Sequence, residues 1–257
     1  MSSMWKGCSV SAKRKNLRQD TSGAVMVEFT AALTVFLLLL FGSVEFANVF
    51  YQWNAATKAV QWGARVAAVS DPVAANLIAF TGVENGTLPG VVLPSAAYDC
   101  VCKGSTSQCT GTMPASAPAC NIGATGLAAL QRIVYGVSGA TSCGTSTSNR
   151  DMGMCHLFPG LTVQNVEVEY QYTGLGYAGR PGAIQNSSGV NLSPGAVPTI
   201  TVRLHQRVDA ADTNTLKFQF ILIGGLMKIG NAAFPDFIDL PSFATTVTGE
   251  DLTATGS

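Results

Sequence analysis

Few residues in this sequence have the chemistry to do more than pack. There are seven cysteines, two histidines, scattered carboxylates, and one glutamate, Glu28, inside an apolar run. Cys8 lies in a basic segment near the start. Cys100, Cys102, Cys109, Cys120, Cys143 and Cys155 form an even set confined to the chain beyond the apolar run. Such a set suits disulfides in an oxidising compartment. The alternative is free buried thiols, but the surrounding Gly/Ser/Thr stretches offer little core to bury them in. Spacing does not choose among the pairings. Cys100-Val101-Cys102 is not the C-x-x-C of a redox centre. Cys155-His156 lacks the ligand count of a structural zinc site, and no metal or other cofactor is expected. His205 alternates onto the polar face of a strand and is expected to be exposed. Asp236 and Asp239 read as a solvated turn edge rather than a catalytic pair. No G-x-S-x-G, Walker or dinucleotide fingerprint occurs. Asn85-Gly86-Thr87 and Asn186-Ser187-Ser188 are short enough to arise by chance. An enzyme has no constellation to support it.

Glu28 is harder to place. A carboxylate in an intramembrane helix is costly unless it is paired or close to the surface. One reading puts it at the bilayer interface, where it snorkels. The other supplies a partner. A cut after Gly23 would make Ala24 a new N-terminus with an ammonium. That ammonium would lie about 6 Å along the helix axis from Glu28. The ammonium of a neighbouring, axially staggered subunit could then neutralise Glu28. Such a pair sets register more than it adds stability.

These residues need elements to hold them. From Ala24 to Phe46 the chain is apolar except for Glu28, Thr30, Thr34, Ser43 and Glu45. As a helix, Phe29 to Phe46 spans about 27 Å, close to a bilayer core of roughly 30 Å. Basic residues precede it, which keeps the N-terminus cytoplasmic and the chain beyond about residue 48 outside. A cleaved secretory signal is the rival, but the run is long and Phe46-Ala47-Asn48-Val49-Phe50 is a poor cleavage site. The spacing of Phe46, Phe50, Trp53, Thr57, Val60, Ala64 and Ala67 predicts that the helix continues to Val69 as an amphipathic stripe. That stripe packs on the following domain, on neighbouring chains, or on both. Asp71-Pro72 ends it and is expected to start a short helix with Val73, Leu77 and Phe80 inward. Asn85-Gly86 reads as a turn.

Residues 81–162 are rich in Gly, Ser, Thr, Pro and Cys. They read as loop, apart from a helix over Thr125 to Tyr135 with Leu127, Leu130 and Val134 on one side. Val166, Val168, Tyr170 and Tyr172 alternate with polar residues, as do Ile200, Val202 and Leu204. Both runs predict half-buried antiparallel strands, with residues 174–198 as the loop between them. Phe218 to Ile223 predicts a more buried strand, and Phe243, Thr245 and Val247 a last short one. The expected fold is α+β, a long N-terminal helix packed on a small antiparallel sheet with a Cys-rich loop region. The expected segments are a basic leader over 1–23 and a long helix over 24–70, membrane-spanning from about 29 to 48. A Cys-rich region over 71–162 and a β-rich region over 163–257 would form one extracytoplasmic domain.

Charge excludes another class. The sequence is 47 % hydrophobic and only 12 % charged, against roughly 25 % charged in an average soluble domain. Its net charge is zero, but Lys6, Lys13, Arg14, Lys15 and Arg18 crowd into the first 23 residues. The remainder carries 10 basic and 14 acidic side chains. A nucleic-acid binder would carry a basic patch in its folded part, so nucleic acid is not an expected partner.

A basic leader, a glycine, and a glutamate as fifth residue of an apolar helix resemble a type IV prepilin. Here the motif is Gly23-Ala24-Val25-Met26-Val27-Glu28-Phe29. Val27 to Leu33, Val44 to Tyr51 and Ala59 to Ala67 narrow the resemblance to TadE-like proteins, the minor pilins or pseudopilins of the tight-adherence (Tad) pilus. The Tad branch often has Tyr after the glutamate; Phe29 keeps the ring and lacks the hydroxyl. The resemblance implies cleavage between Gly23 and Ala24 by a prepilin peptidase. It also implies roles for Glu28 and Phe29 in subunit assembly. The implied location is the bacterial inner membrane, as a single-pass protein with an extracytoplasmic C-terminal domain, in contact with membrane lipid and able to join a surface pilus. Implied partners are the major pilin, a second minor pilin and the inner-membrane assembly platform. The implied function is assembly or stabilisation of an adhesive pilus. The alternative is an unprocessed, membrane-anchored envelope binding module with a disulfide-stapled domain.

Overall fold

The computed structural model describes residues 21–78, 80–83, 87–115, 117–145, 151–178, 196–205, 216–220 and 237–249. The chain divides into two units at Ala47/Asn48. Helix α1, Thr21–Ala68, runs through that boundary. No proline interrupts it, and it ends just before Asp71-Pro72, where the residue preceding proline is pushed out of the helical region. At 48 residues its length is about 72 Å.

In the first unit the described part of α1 exposes its apolar side chains, from Val25 and Phe29 through Leu39 and Val44. Its hydroxyls are satisfied within the helix. Thr30 donates to the carbonyls of Met26 (3.0 Å) and Val27 (2.9 Å), Thr34 to Thr30, and Ser43 to Leu40. This back-bonding lets Thr and Ser sit in an apolar medium without stranding a donor. Among the described residues, this is the one helix long and apolar enough to cross a membrane.

The second unit is built on a five-stranded antiparallel sheet in the order β2-β1-β3-β4-β7. Its strands are β1 (Asp99–Lys103), β2 (Gln108–Thr112), β3 (Val166–Gly176), β4 (Ala196–Leu204) and β7 (Ala244–Thr248). The strands β5 (Lys217–Gln219) and β6 (Phe237–Asp239) form a separate pair. Alternation on β3 and β4 buries Val166, Val168, Tyr170 and Tyr172 with Ile200, Val202 and Leu204. These join one core with α2 (Gly123–Tyr135) and with the outer part of α1. Helix α2 contributes Ala129, Leu130, Ile133 and Val134. It stops at Gly136, whose φ of 90° closes the helix with its N–H on the Arg132 carbonyl. A short helix, α3 (Met154–Leu157), follows. The fold is α+β with a Cys-rich region.

Five expectations need correction. Of the expected stripe on the outer part of α1, the domain core covers Val60, Ala64 and Ala67 but not Phe50 and Trp53, which are 51 % and 46 % exposed, Trp53 lying edge-on to Phe243. The helix buries Ala56, Ala59, Val60, Gly63, Ala64 and Ala67. Small residues let the helix approach closely: a β-carbon on Gly63 would lie 2.5 Å from the Met154 sulfur. Trp62 fixes this approach by donating its indole N–H to the Met152 carbonyl at 2.7 Å. Second, the helix expected at Pro72 is a single 3-10 turn, Ala75–Ile78. Val73, Leu77 and Phe80 are buried, but the backbone N–H groups of Val73 and Ala75 are bound by Tyr170 and by the Asn121 carbonyl. Tertiary partners replace a helical ladder there. Third, the region expected as loop contains the β1–β2 hairpin, whose short strands carry cysteines instead of a β-branched alternation. Fourth, His205 is 7 % exposed. It lies one residue past β4, and its N–H donates to the Asn165 carbonyl at 2.7 Å. Fifth, the loop expected over 174–198 is shorter at both ends, since β3 runs to Gly176 and β4 begins at Ala196. Its residues 179–195, the Asn85-Gly86 turn, both glycosylation sequons, residues 221–223 and the Asp236 half of the carboxylate pair fall outside the described residues, as do Cys8 and the basic segment up to residue 20.

Candidate functional site

Gly23, Ala24, Glu28 and Phe29 lie in the first turns of α1, and all four are exposed. Among the described residues, nothing beyond its own stretch of helix stands within 4 Å of where a β-carbon on Gly23 would be. Glu28 follows Ala24 by four residues and shares its face. Among the described residues the Glu28 carboxylate has no ion pair. Phe29 is 62 % exposed. This end of α1 therefore presents an accessible peptide bond, a carboxylate one turn beyond it, and an apolar surface.

The six outer cysteines are joined in three bridges, Cys100–Cys120, Cys102–Cys109 and Cys143–Cys155. Cys102 and Cys109 face each other in the β1–β2 register, so their bridge pins the hairpin. Cys100 is buried, and its bridge ties β1 to the segment entering α2. The third bridge ties the chain after α2 to α3. Cys143, Cys155 and His156 bring three ligand atoms within 4.8 Å. Both sulfurs belong to a disulfide, which removes the thiolates that a soft metal needs. His156 is held as a structural group: Nδ1 accepts from the Gly153 N–H at 3.0 Å, and Nε2 donates to the Gly144 carbonyl at 3.0 Å.

Two polar constellations were not legible in advance. Glu167 and Arg203 are register partners across β3 and β4. Arg203 pairs with Glu169, and His205 Nδ1 meets Glu167 at 2.7 Å. Antiparallel pairing of the two predicted strands could have placed Glu167 opposite Arg203; no local pattern indicated the burial of His205. The second constellation is aromatic. Tyr98, Tyr170 and Tyr172 are buried, with Tyr98 donating to the Ala196 carbonyl (3.3 Å) and Tyr170 accepting from the Val73 N–H (2.9 Å). Burial, with a smaller contribution from Tyr172, raises the Tyr98 phenol well above its usual range. Burial likewise raises Tyr170, opposed by the Val73 hydrogen bond and reinforced by Asp71.

The fold and this site define an α+β protein with a membrane-length apolar helix at its N-terminal end and a disulfide-bonded domain after it. Residues 23–65 match the model of the family described as TadE-like protein, and the match lies wholly within α1. That segment is similar to TadE-like proteins, and the similarity covers that part of the chain alone. No curated protein and no solved structure matches the chain.

Proposed function

We propose that this chain is a minor pilin of a Tad-type adhesive pilus, cut between Gly23 and Ala24 before it helps to assemble or stabilise the fibre. The observation that carries this reading is the placement of Gly23, Ala24 and Glu28 within one exposed, TadE-like apolar helix. A prepilin peptidase cuts the exposed Gly23–Ala24 bond. The mature helix stays anchored in the inner membrane, with the disulfide-bonded domain outside. During assembly the Ala24 ammonium of one subunit meets the Glu28 carboxylate of another, and the pair sets the axial stagger. The major pilin, a second minor pilin and the assembly platform are the partners.

N-terminal sequencing of membrane-extracted protein tests the cut. A start at Ala24 supports it, and an intact Met1 removes it in favour of an unprocessed envelope anchor. Glu28→Gln is expected to remain in the membrane fraction yet lose incorporation into sheared pili. Pili that contain the variant at wild-type level would show that the charge pair is not needed.

A further inference from the structure

The sheet of the second unit ends in β7, and among the described residues no strand stands beyond it. The direction of its backbone groups follows from its pairing. Antiparallel partners alternate between pairs that exchange hydrogen bonds and pairs that do not. Just before β7 the Phe243 carbonyl accepts from the Leu204 N–H at 2.9 Å, and just after it the Gly249 N–H donates to the Pro198 carbonyl at 2.8 Å. By that alternation Thr245 and Val247 also bond towards β4, opposite Val202 and Ile200. The N–H and C=O groups of Ala244, Thr246 and Thr248 therefore point away from β4. All three residues are exposed. This edge lacks the devices that usually block pairing: β7 reads Ala-Thr-Thr-Val-Thr, without charge or proline, and its register with β4 has no bulge. At the opposite edge, β2 is interrupted by Gly111 at φ 143° and tied to β1 through Cys109.

We infer that the outer edge of β7 binds a second copy of this chain, β7 against β7 and antiparallel, about a two-fold axis at Thr246. The strand is complementary to itself in that register. Thr246 faces the partner's Thr246, and Ala244 faces the partner's Thr248, so each outward N–H meets an outward C=O. Other registers leave outward groups unpaired. A neutral strand brings no like charges together across the axis, and threonine suits a paired strand. The hydroxyl contact of Thr201 with Thr246, at 3.0 Å, continues through the axis into the same contact of the copy. The two five-stranded sheets run on as one, with both cores on the same side. This pairing requires neither the cut after Gly23 nor a fibre, and goes beyond the proposed pilin role. One short strand per copy is a small contact of the weak, transient class, which covalent trapping can read.

The test is disulfide trapping of the full-length, detergent-solubilised protein in a Cys8→Ser background. Facing residues of such a pair lie about 5.5 Å apart between Cα atoms, within reach of a disulfide. Thr246→Cys is therefore expected to form a covalent dimer under mild oxidation, as is the double variant Ala244→Cys/Thr248→Cys. Thr248→Cys alone is expected to stay monomeric, because the two Thr248 positions are offset by four residues, roughly 14 Å. Adding Thr246→Pro to the double variant removes an outward N–H and leaves the β4 ladder whole. It should abolish trapping with the far-ultraviolet spectrum unchanged. Equal trapping of Thr246→Cys and Thr248→Cys would mean random collision and overturn the pairing. So would a lack of trapping in protein that keeps its three native bridges, or trapping that survives Thr246→Pro. The same oxidation of Thr246→Cys in native membranes checks the occupant. An adduct with a different protein in place of the dimer would give the edge to that protein and overturn the second copy.

Discussion

Leu38 in α1 and Leu130 in α2 each sit inside a helix, yet Leu38 is 41 % exposed and Leu130 is fully buried. The contrast holds across their neighbourhoods. Around Leu38 the exposed residues are the largest apolar ones, such as Phe36 and Leu39. Around Leu130 the exposed positions are few, and Ile133 and Val134 are buried in the protein core. An apolar surface of that length left outside a core calls for another apolar medium, a bilayer or the interior of a fibre. In one helix the protein makes its own solvent; in the other it depends on its surroundings.

Substitutions can sharpen or break this contrast. Leu130→Ala should produce the largest effect. A fully buried leucine in a packed core costs about 3 kcal/mol when truncated, read as a lowered urea midpoint of the detergent-solubilised protein. Opening the Cys100–Cys120 bridge with Cys100→Ser and Cys120→Ser should cost a similar amount, about 3 kcal/mol for a loop of 20 residues. A smaller loss would mean that the sheet holds β1 without its staple. Tyr170→Phe removes the acceptor of the buried Val73 N–H and should cost about 2 kcal/mol.

Tyr98 and Tyr170 also set an alkaline limit. Their phenols titrate higher in the folded state than in the unfolded chain. The stability this provides is complete below about pH 10 and is lost as pH rises beyond it, because the unfolded state alone releases those protons. Absorbance at 295 nm should therefore show both ionising together with cooperative unfolding, not before it. Leu38→Ala should have the smallest effect, within about 0.5 kcal/mol in detergent, because no core is opened. A loss as large as that of Leu130→Ala would break the comparison and place Leu38 in a packed interface.

Much of this was legible from local pattern. The apolar run of α1, its uninterrupted course to Ala68, the strands β3 and β4, and the helix ending at Tyr135 all follow from hydropathy, period and breakers read within a dozen residues. The Gly23, Ala24, Glu28 motif is equally local. The even cysteine set pointed to bridges, but not to their connectivity. Cys102 faces Cys109 only once β1 and β2 pair, and Cys100 reaches Cys120 only when β1 lies against β3 and the chain returns into α2. Likewise, the stripe through Phe50 and Trp53 was read from hydrophobicity, whereas the packed side of α1 was chosen by how closely Met154 approaches Gly63. His205 was assigned by strand alternation and was instead buried by Glu167, 38 positions away in the chain. What the sequence determined by itself is therefore what depends on neighbours along the chain: helix, strand and membrane-length run. Tertiary structure alone decided which cysteines join, which helix face is covered and which polar residues are buried, because each needs a partner that only folding brings within a few ångströms.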